Sequence, residues 1–84
     1  MRCDLARRED LRNWLIEALK ANNGRASIVE LCRYVWEKYE NELRRSGDLF
    51  FTWQFDIRWA ATHLRKEGIM RAAELSPRGI WELA

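Results

Sequence analysis

Residues 57–83 decide the fold, and they read IRWAATHLRKEGIMRAAELSPRGIWEL. A helical apolar stripe runs through the first part of this stretch and stops at Gly68, a residue that commonly ends helices. Two short apolar runs, at 69–75 and 80–83, then flank a polar tip at 76–79 that is rich in turn-forming residues. The stretch therefore predicts a helix followed by a two-stranded hairpin.

Two further amphipathic helices are predicted upstream, near residues 5–22 and 28–45. In both, apolar residues recur at i, i+3, i+4 and i+7, which is the period of a helix face that packs on a core. Ser27 and Glu30 form a capping box, in which each side chain accepts a hydrogen bond from the other residue's backbone N–H. This pair fixes the predicted start of the second helix.

The third helix is predicted near residues 53–67, after an apolar linker at 49–51 that should dock into the core. Thr52 is its expected N-cap, as Asp4 or Asp10 is for the first helix. Three helices followed by a C-terminal two-stranded wing are typical of a winged helix-turn-helix. This fold is mainly α with a small β hairpin, and it is most often used to bind duplex DNA.

Size and composition fit one winged-helix domain over residues 1–84. The chain is 48% apolar and 33% charged with a net charge of +2, which predicts a soluble globular protein. Among its five tryptophans, Trp14, Trp36 and Trp81 are expected to be largely buried and Trp59 to lie in the core or at its edge. The sequence carries neither a membrane span nor a signal peptide, so we expect cytoplasmic residence.

The sequence favours a protein without catalytic chemistry. His63 is the only histidine and is expected to pack half-buried, and the two cysteines, Cys3 and Cys32, are too few for a zinc site. Cys32 falls on the apolar stripe of the second helix and is expected to be a small core residue, whereas Cys3 falls in the N-terminal tail. A disulfide between them is possible but disfavoured. Phosphate-binding loops and activated nucleophiles are also missing. We therefore expect no enzyme activity, no cofactor, no metal and no small-molecule substrate.

The third helix and the hairpin resemble a known family. Residues 59–70, WAATHLRKEGIM, and residues 78–83, RGIWEL, are similar to the N-terminal winged-helix domain of Mrr-type restriction proteins. The resemblance implies a DNA-recognition module, which family members join to a separate metal-dependent nuclease domain. The Asp/Glu-x-Lys motif of that nuclease is absent from this sequence. The chain also departs from the pattern in its longer wing segment at 71–77 and in His63, which stands where the family commonly has an aromatic residue.

One face of the third helix is the candidate DNA-binding surface. At about 100° per residue, Arg58, Thr62 and Arg65 form a line away from the core stripe. Arginine suits guanine edges and phosphates, and threonine suits a phosphate or a thymine methyl group. Basic residues on the hairpin are expected to reach flanking phosphates or the minor groove. The predicted DNA-contacting residues are Arg58, Thr62, Arg65, Lys66, Arg71 and Arg78.

Two functions are compatible with this pattern. The first is a duplex DNA-binding module with residues 53–67 in the major groove and the wing on the backbone. The second is a protein-interaction winged helix, such as a homodimerisation module or a small phage-type or host-defence regulator. The low net charge and the aromatic residues Phe50, Phe51 and Phe55 favour the second. A contiguous basic face across the third helix and the wing favours DNA, whereas an apolar or mixed face favours a protein partner.

Overall fold

A computed structural model describes residues 7–84 and has the predicted mainly helical layout with a small antiparallel sheet. The elements in chain order are α1 (Arg8–Ala21), β1 (Arg25–Ser27), α2 (Ile28–Arg44), α3 (Leu49–Lys66), a short 3-10 helix (Ala73–Leu75) and β2 (Ile80–Glu82). This arrangement confirms the predicted fold class, a winged-helix layout of three helices with a small antiparallel sheet. The tail residue Cys3 lies outside the described residues.

Side chains near the helix starts accept hydrogen bonds from backbone amides, as the sequence predicts. At α2 the Glu30 N–H donates to Ser27 Oγ at 3.1 Å, and the Ser27 N–H donates to the Glu30 carboxylate at 2.9 Å. At α1 the Arg7 N–H donates to the Asp10 carboxylate at 2.9 Å. Asp10 is thus the third residue of α1 and not its N-cap, which is Arg7, so the prediction of Asp10 as N-cap is wrong. Asp10 instead stabilises the start of α1 from inside its first turn, and the other candidate, Asp4, lies outside the described residues.

The third helix begins earlier than predicted. Residues 49–51, predicted as a linker, form its first turn, because Leu49 and Trp53 are both buried and stand one helical turn apart. The prediction of Thr52 as N-cap is wrong, since Thr52 lies inside the helix and its hydroxyl donates to the Asp56 carboxylate at 2.8 Å. The apolar run before Thr52 is therefore the start of the core-facing stripe.

The sheet is formed mainly by β1 and β2. These strands pair antiparallel, with Ala26 opposite Trp81. The sequence does not predict β1, because a three-residue strand is too short to display an alternating pattern. Its position before α2 means that the C-terminal strand returns to the start of the helix-turn-helix unit.

The first predicted wing strand, at residues 69–75, is wrong over most of its length. Only Met70 bridges to the C-terminal strand region, opposite Leu83. The remainder of the segment contains alanine and glutamate, which are depleted in strands, and it turns into the short 3-10 helix instead. The wing is consequently a bent loop closed by Met70, rather than a long regular hairpin.

The hydrophobic core lies mainly between α1 and α3, and these two helices make the most extensive contact in the molecule. The sheet and α2 close the remaining sides. The largest fully buried side chains are Leu11, Leu15, Leu19, Leu31, Val35, Leu43, Ile57, Leu64 and Met70. None of the helices within residues 7–84 combines the length and apolarity that crossing a membrane requires.

The tryptophans predicted to be largely buried all pack on the core. Trp81 is buried, as predicted, and Trp14 and Trp36 are partly buried. The latter two lie on helix faces at the margin of the core. Trp59 and His63 are half-buried with ring centroids 4.4 Å apart, which confirms the predicted packing role at the core edge.

Candidate functional site

The acidic side chains in and just after α3 are turned towards α1. The Asp56 carboxylate lies 3.8 Å from the Arg8 guanidinium, and Glu67 forms an ion pair with Arg12. The hydrogen bond from Arg12 lowers the pKa of the Glu67 carboxyl below its usual value. Because both arginines belong to α1, the negative charges of this region are compensated on the α1 side. The charged side chains that remain on the exposed face of α3 are therefore basic, Arg58 and Lys66.

Part of the predicted DNA-binding line lies on this exposed face. Arg58, Thr62 and Lys66 are all exposed. The Thr62 hydroxyl donates to the Arg58 carbonyl at 3.1 Å, and its oxygen remains able to accept a further hydrogen bond. Within residues 7–84 neither Arg58 nor Lys66 has an ion-pair partner. A phosphate that approaches these cations breaks no existing ion pair in the described part of the chain.

Arg65 occupies a different environment from the rest of the predicted line. It is half-buried, and its guanidinium carbon lies 5.5 Å from the ring centroid of Trp81. Its Nε atom is buried and has no hydrogen-bond partner among the described residues. Arg65 and Arg78 also line one small cavity at the base of the wing. Arg65 therefore links α3 to β2, and a base contact from it stays a prediction.

The two wing arginines also differ from each other. The Arg71 guanidinium lies 3.7 Å from the Glu82 carboxylate, which is also 3.5 Å from Arg25 and accepts a hydrogen bond from Ser76 at 2.8 Å. Arg71 is therefore partly neutralised by an acidic residue of β2. Arg78 is exposed and has no ion-pair partner within residues 7–84, so it is the more available cation of the wing.

The first half of the exposed α3 face is apolar. Phe51 and Phe55 are 77% and 75% exposed and stand one helical turn apart. Gln54 is also exposed and lies one turn before Arg58, a position that sequence reasoning missed. The signal was present, because stepping back four residues from Arg58 along the helix reaches Gln54. The face is therefore mixed: apolar side chains at its start give way to polar and basic ones.

A groove of about 660 Å³ lies between the starts of α2 and α3. Its floor is aromatic. The Trp36 ring is stacked against Trp53 with ring centroids 6.2 Å apart, and the centroid of the Phe50 ring lies 6.3 Å from that of Trp36. Cys32 lines the groove and is half-buried, so it sits at the core edge rather than inside the core as predicted. Burial raises the pKa of the Cys32 thiol, and the positive charge of Arg58 partly opposes that shift.

A polar cluster joins α1 to α2 on another side of the molecule. Glu17 accepts hydrogen bonds from Lys38, Tyr39 and Tyr34, the last at 2.8 Å. Burial raises the pKa of Glu17, but these hydrogen bonds outweigh it and leave that pKa below its usual value. Hydrogen bonding to Glu17 raises the pKa of Lys38 to about 12. The cluster satisfies its own polar groups and acts as a structural link between the helices.

Comparisons of the chain with protein-family models, with curated proteins and with solved structures give no match. Across residues 7–84 no three His, Cys, Asp or Glu side chains are placed to hold a metal ion. The candidate surface therefore consists of three regions of the molecule: the exposed face of α3, the base of the wing and the groove beside α2.

Proposed function

We propose that this protein is a non-catalytic duplex DNA-binding module. It is similar in role to the N-terminal winged-helix domain of Mrr-type restriction proteins, or to a small regulator with the same fold. In this proposal α3 lies in the major groove and the wing contacts the backbone. The observation that carries it is the exposed set Arg58, Thr62 and Lys66, whose cations have no ion-pair partner within residues 7–84. Cytoplasmic residence without a cofactor belongs to the same proposal.

Charge separation supports DNA binding better than the net charge of +2 suggests. Asp56 and Glu67 are held by arginines of α1, so they subtract little from the potential on the opposite face of α3. A small basic face is sufficient to position a single module on the phosphate backbone, although it predicts weak binding to arbitrary duplexes. At physiological salt we expect a dissociation constant on the order of 10⁻⁴ to 10⁻⁶ M for such duplexes.

The polar side chains of α3 are also suited to reading bases. Gln54 and Arg58 stand one helical turn apart on the exposed face. Glutamine pairs with the adenine edge in the major groove and arginine with the guanine edge, and a phenylalanine such as Phe55 can contact a thymine methyl group. This combination supports sequence preference in addition to general attraction to phosphate.

The test is a duplex titration by fluorescence anisotropy at low and moderate salt, after selection of a preferred duplex. Arg58→Ala should cost about 1–3 kcal/mol on the preferred duplex and relax its preference, as the loss of a bidentate base contact does. Arg78→Ala should weaken all duplexes alike and reduce the salt slope by about one unit. Lys20→Ala, which removes an exposed cation at the end of α1, is the matched control and should change neither quantity.

A second candidate function is supported by the exposed aromatic pair of α3. Phe51 and Phe55 form an apolar patch on the surface, and such patches commonly mark contacts with another protein, including a second copy of the same chain. The mixed character of the α3 face favours this function. The same titration separates the two proposals. Binding that is unchanged by salt, or by Arg58→Ala and Arg78→Ala together, contradicts the DNA proposal and favours the protein partner.

A further inference from the structure

The groove between α2 and α3 has an aromatic floor and a cationic rim. Three of its lining residues are polar, Arg33, Gln54 and Arg58, and the others are apolar or aromatic apart from the thiol of Cys32. None of the lining residues is acidic. The groove therefore offers apolar contact and positive charge together.

The dimensions of the groove suit a small molecule. Its volume of about 660 Å³ lies within the range of roughly 300–1,000 Å³ typical of small-molecule sites, which combine aromatic walls with a few polar groups. Trp53 is buried beneath it, whereas Trp36 and Phe50 are half-buried and leave part of their ring surface accessible. Val29, at 65% exposure, lies at its edge. A flat ring placed against these side chains would gain stacking contact and exclude water.

The charges at the groove are distributed unevenly. Arg44 lies 5.2 Å from the Trp36 ring, but its guanidinium already bonds the Glu40 carboxylate at 2.7 Å. Arg33 and Arg58 come from opposite walls of the groove, and within residues 7–84 neither has an ion-pair partner. A guanidinium binds planar oxyanions through paired N–H donors. Complementarity of charge therefore favours an anionic group at this pair of arginines.

We propose that this groove binds a small organic anion that carries a planar aromatic ring. The ring packs against Trp36 and Phe50, above the buried Trp53, and the anionic group lies between Arg33 and Arg58. This ligand is separate from the proposed DNA, although Arg58 borders both surfaces. The test uses no nucleic acid, so its outcome is independent of the DNA proposal.

Naphthalene-2-sulfonate is a suitable probe, and the neutral naphthalene-2-sulfonamide is its matched control. Calorimetry should give saturable binding of one sulfonate per chain, with the sulfonamide about tenfold weaker because it lacks the charge-assisted hydrogen bonds. In a heteronuclear NMR titration the indole N–H signals of Trp36 and Trp53 should shift more than those of Trp14 and Trp81. Arg58→Gln should weaken the sulfonate about tenfold and the neutral sulfonamide by much less, because only the sulfonate forms an ion pair with the guanidinium.

A blocking variant provides an independent readout. Val29→Trp places a large ring at the edge of the groove and should abolish sulfonate binding, whereas Leu75→Trp should not. The two sites are closely matched, at 65% and 68% exposure, and circular dichroism establishes that both variants are folded. Equal affinity for sulfonate and sulfonamide, equal effects of the two tryptophan substitutions, or an absence of saturable binding at millimolar probe would each overturn the proposal.

Discussion

The two sides of α3 are built differently. On the side that faces α1, Ile57 and Leu64 are completely buried with Leu11, and ion pairs from Arg8 and Arg12 cover the margin. On the side that faces the start of α2 lies an open groove whose aromatic rings Trp36 and Phe50 are half-buried. On the first side the apolar area is buried in the core, whereas on the second side apolar area and positive charge remain accessible to a ligand. Stability and binding can therefore be altered separately within one helix.

The largest loss of stability should come from a cavity on the closed side of α3, the side that faces α1. Ile57→Ala should destabilise the domain by about 2–5 kcal/mol, because it removes buried methyl groups and leaves a cavity between α1 and α3. Phe55→Ala, two residues earlier on the exposed side, should change stability by less than about 0.5 kcal/mol. Urea denaturation followed by circular dichroism measures both.

Both substitutions introduce alanine into the same helix, so the difference between them is attributable to burial rather than to helix propensity. A loss at Phe55 comparable to that at Ile57 would mean that the exposed aromatic pair belongs to the folded core. The two sides of α3 would then not be distinct.

A smaller effect should come from the polar link between α1 and α2. Glu17→Gln removes the charge that Lys38, Tyr34 and Tyr39 share, and it should cost about 1–2 kcal/mol at neutral pH. The pKa of Glu17 is lower in the folded state than the ordinary value of 4.5, so its contribution is present above that pH and disappears as pH falls through the folded-state pKa. Denaturation of parent and variant at several pH values measures this.

The stability gap between the parent and Glu17→Gln should therefore narrow on acidification below about pH 4.5. Glu42→Gln is the control, since Glu42 is an exposed acid of the same helix pair and has no ion-pair partner within residues 7–84. If the difference in stability between the parent and Glu17→Gln stays constant from neutral to acidic pH, the ionised carboxylate of Glu17 does not contribute to stability.

The smallest effect should come from the ion pairs at the margin of the closed side. Arg12→Ala should lower the free energy of unfolding only slightly and by less than Glu17→Gln, since its partner Glu67 is exposed and solvent weakens the attraction. Arg58→Ala should cost nothing measurable in stability, because within residues 7–84 it has no partner to lose. Differential scanning calorimetry can compare the stability of the two variants. A larger loss of stability for Arg58→Ala than for Arg12→Ala would mean that Arg58 contributes to the closed side of α3.

Features encoded by neighbouring residues were predictable from the sequence. The capping box at Ser27 and Glu30 needs only residues three apart, and the core stripe of α3 is visible from its period alone. The expected packing of His63 follows from its place on the same helix. The fold class emerged because these local signals agree with one another.

Features that depend on distant contacts were not predictable. β1 exists because Ala26 meets Trp81 from the other end of the chain, and nothing in its own three residues indicates a strand. Arg65 follows the same helical spacing as Arg58, yet contact with Trp81 draws it from the exposed face. Helical periodicity predicts in which direction around the helix a side chain points. Whether that side chain then reaches solvent depends on the position of neighbouring elements, which the periodicity does not give.

The pairing of β1 with β2 has a consequence for folding kinetics. Ser27 lies opposite Ile80, and the chain between them forms α2 and α3. Individual helices form within about a microsecond. Pairing of two remote strands is slower, because the chain between them must first be closed into a loop, which lowers its conformational entropy. Ser27 is also the N-cap of α2, so the strand that is last in sequence pairs with the residue that caps the helix-turn-helix unit. Amide hydrogen exchange should consequently detect the sheet and the first turn of α2 opening as one cooperative unit.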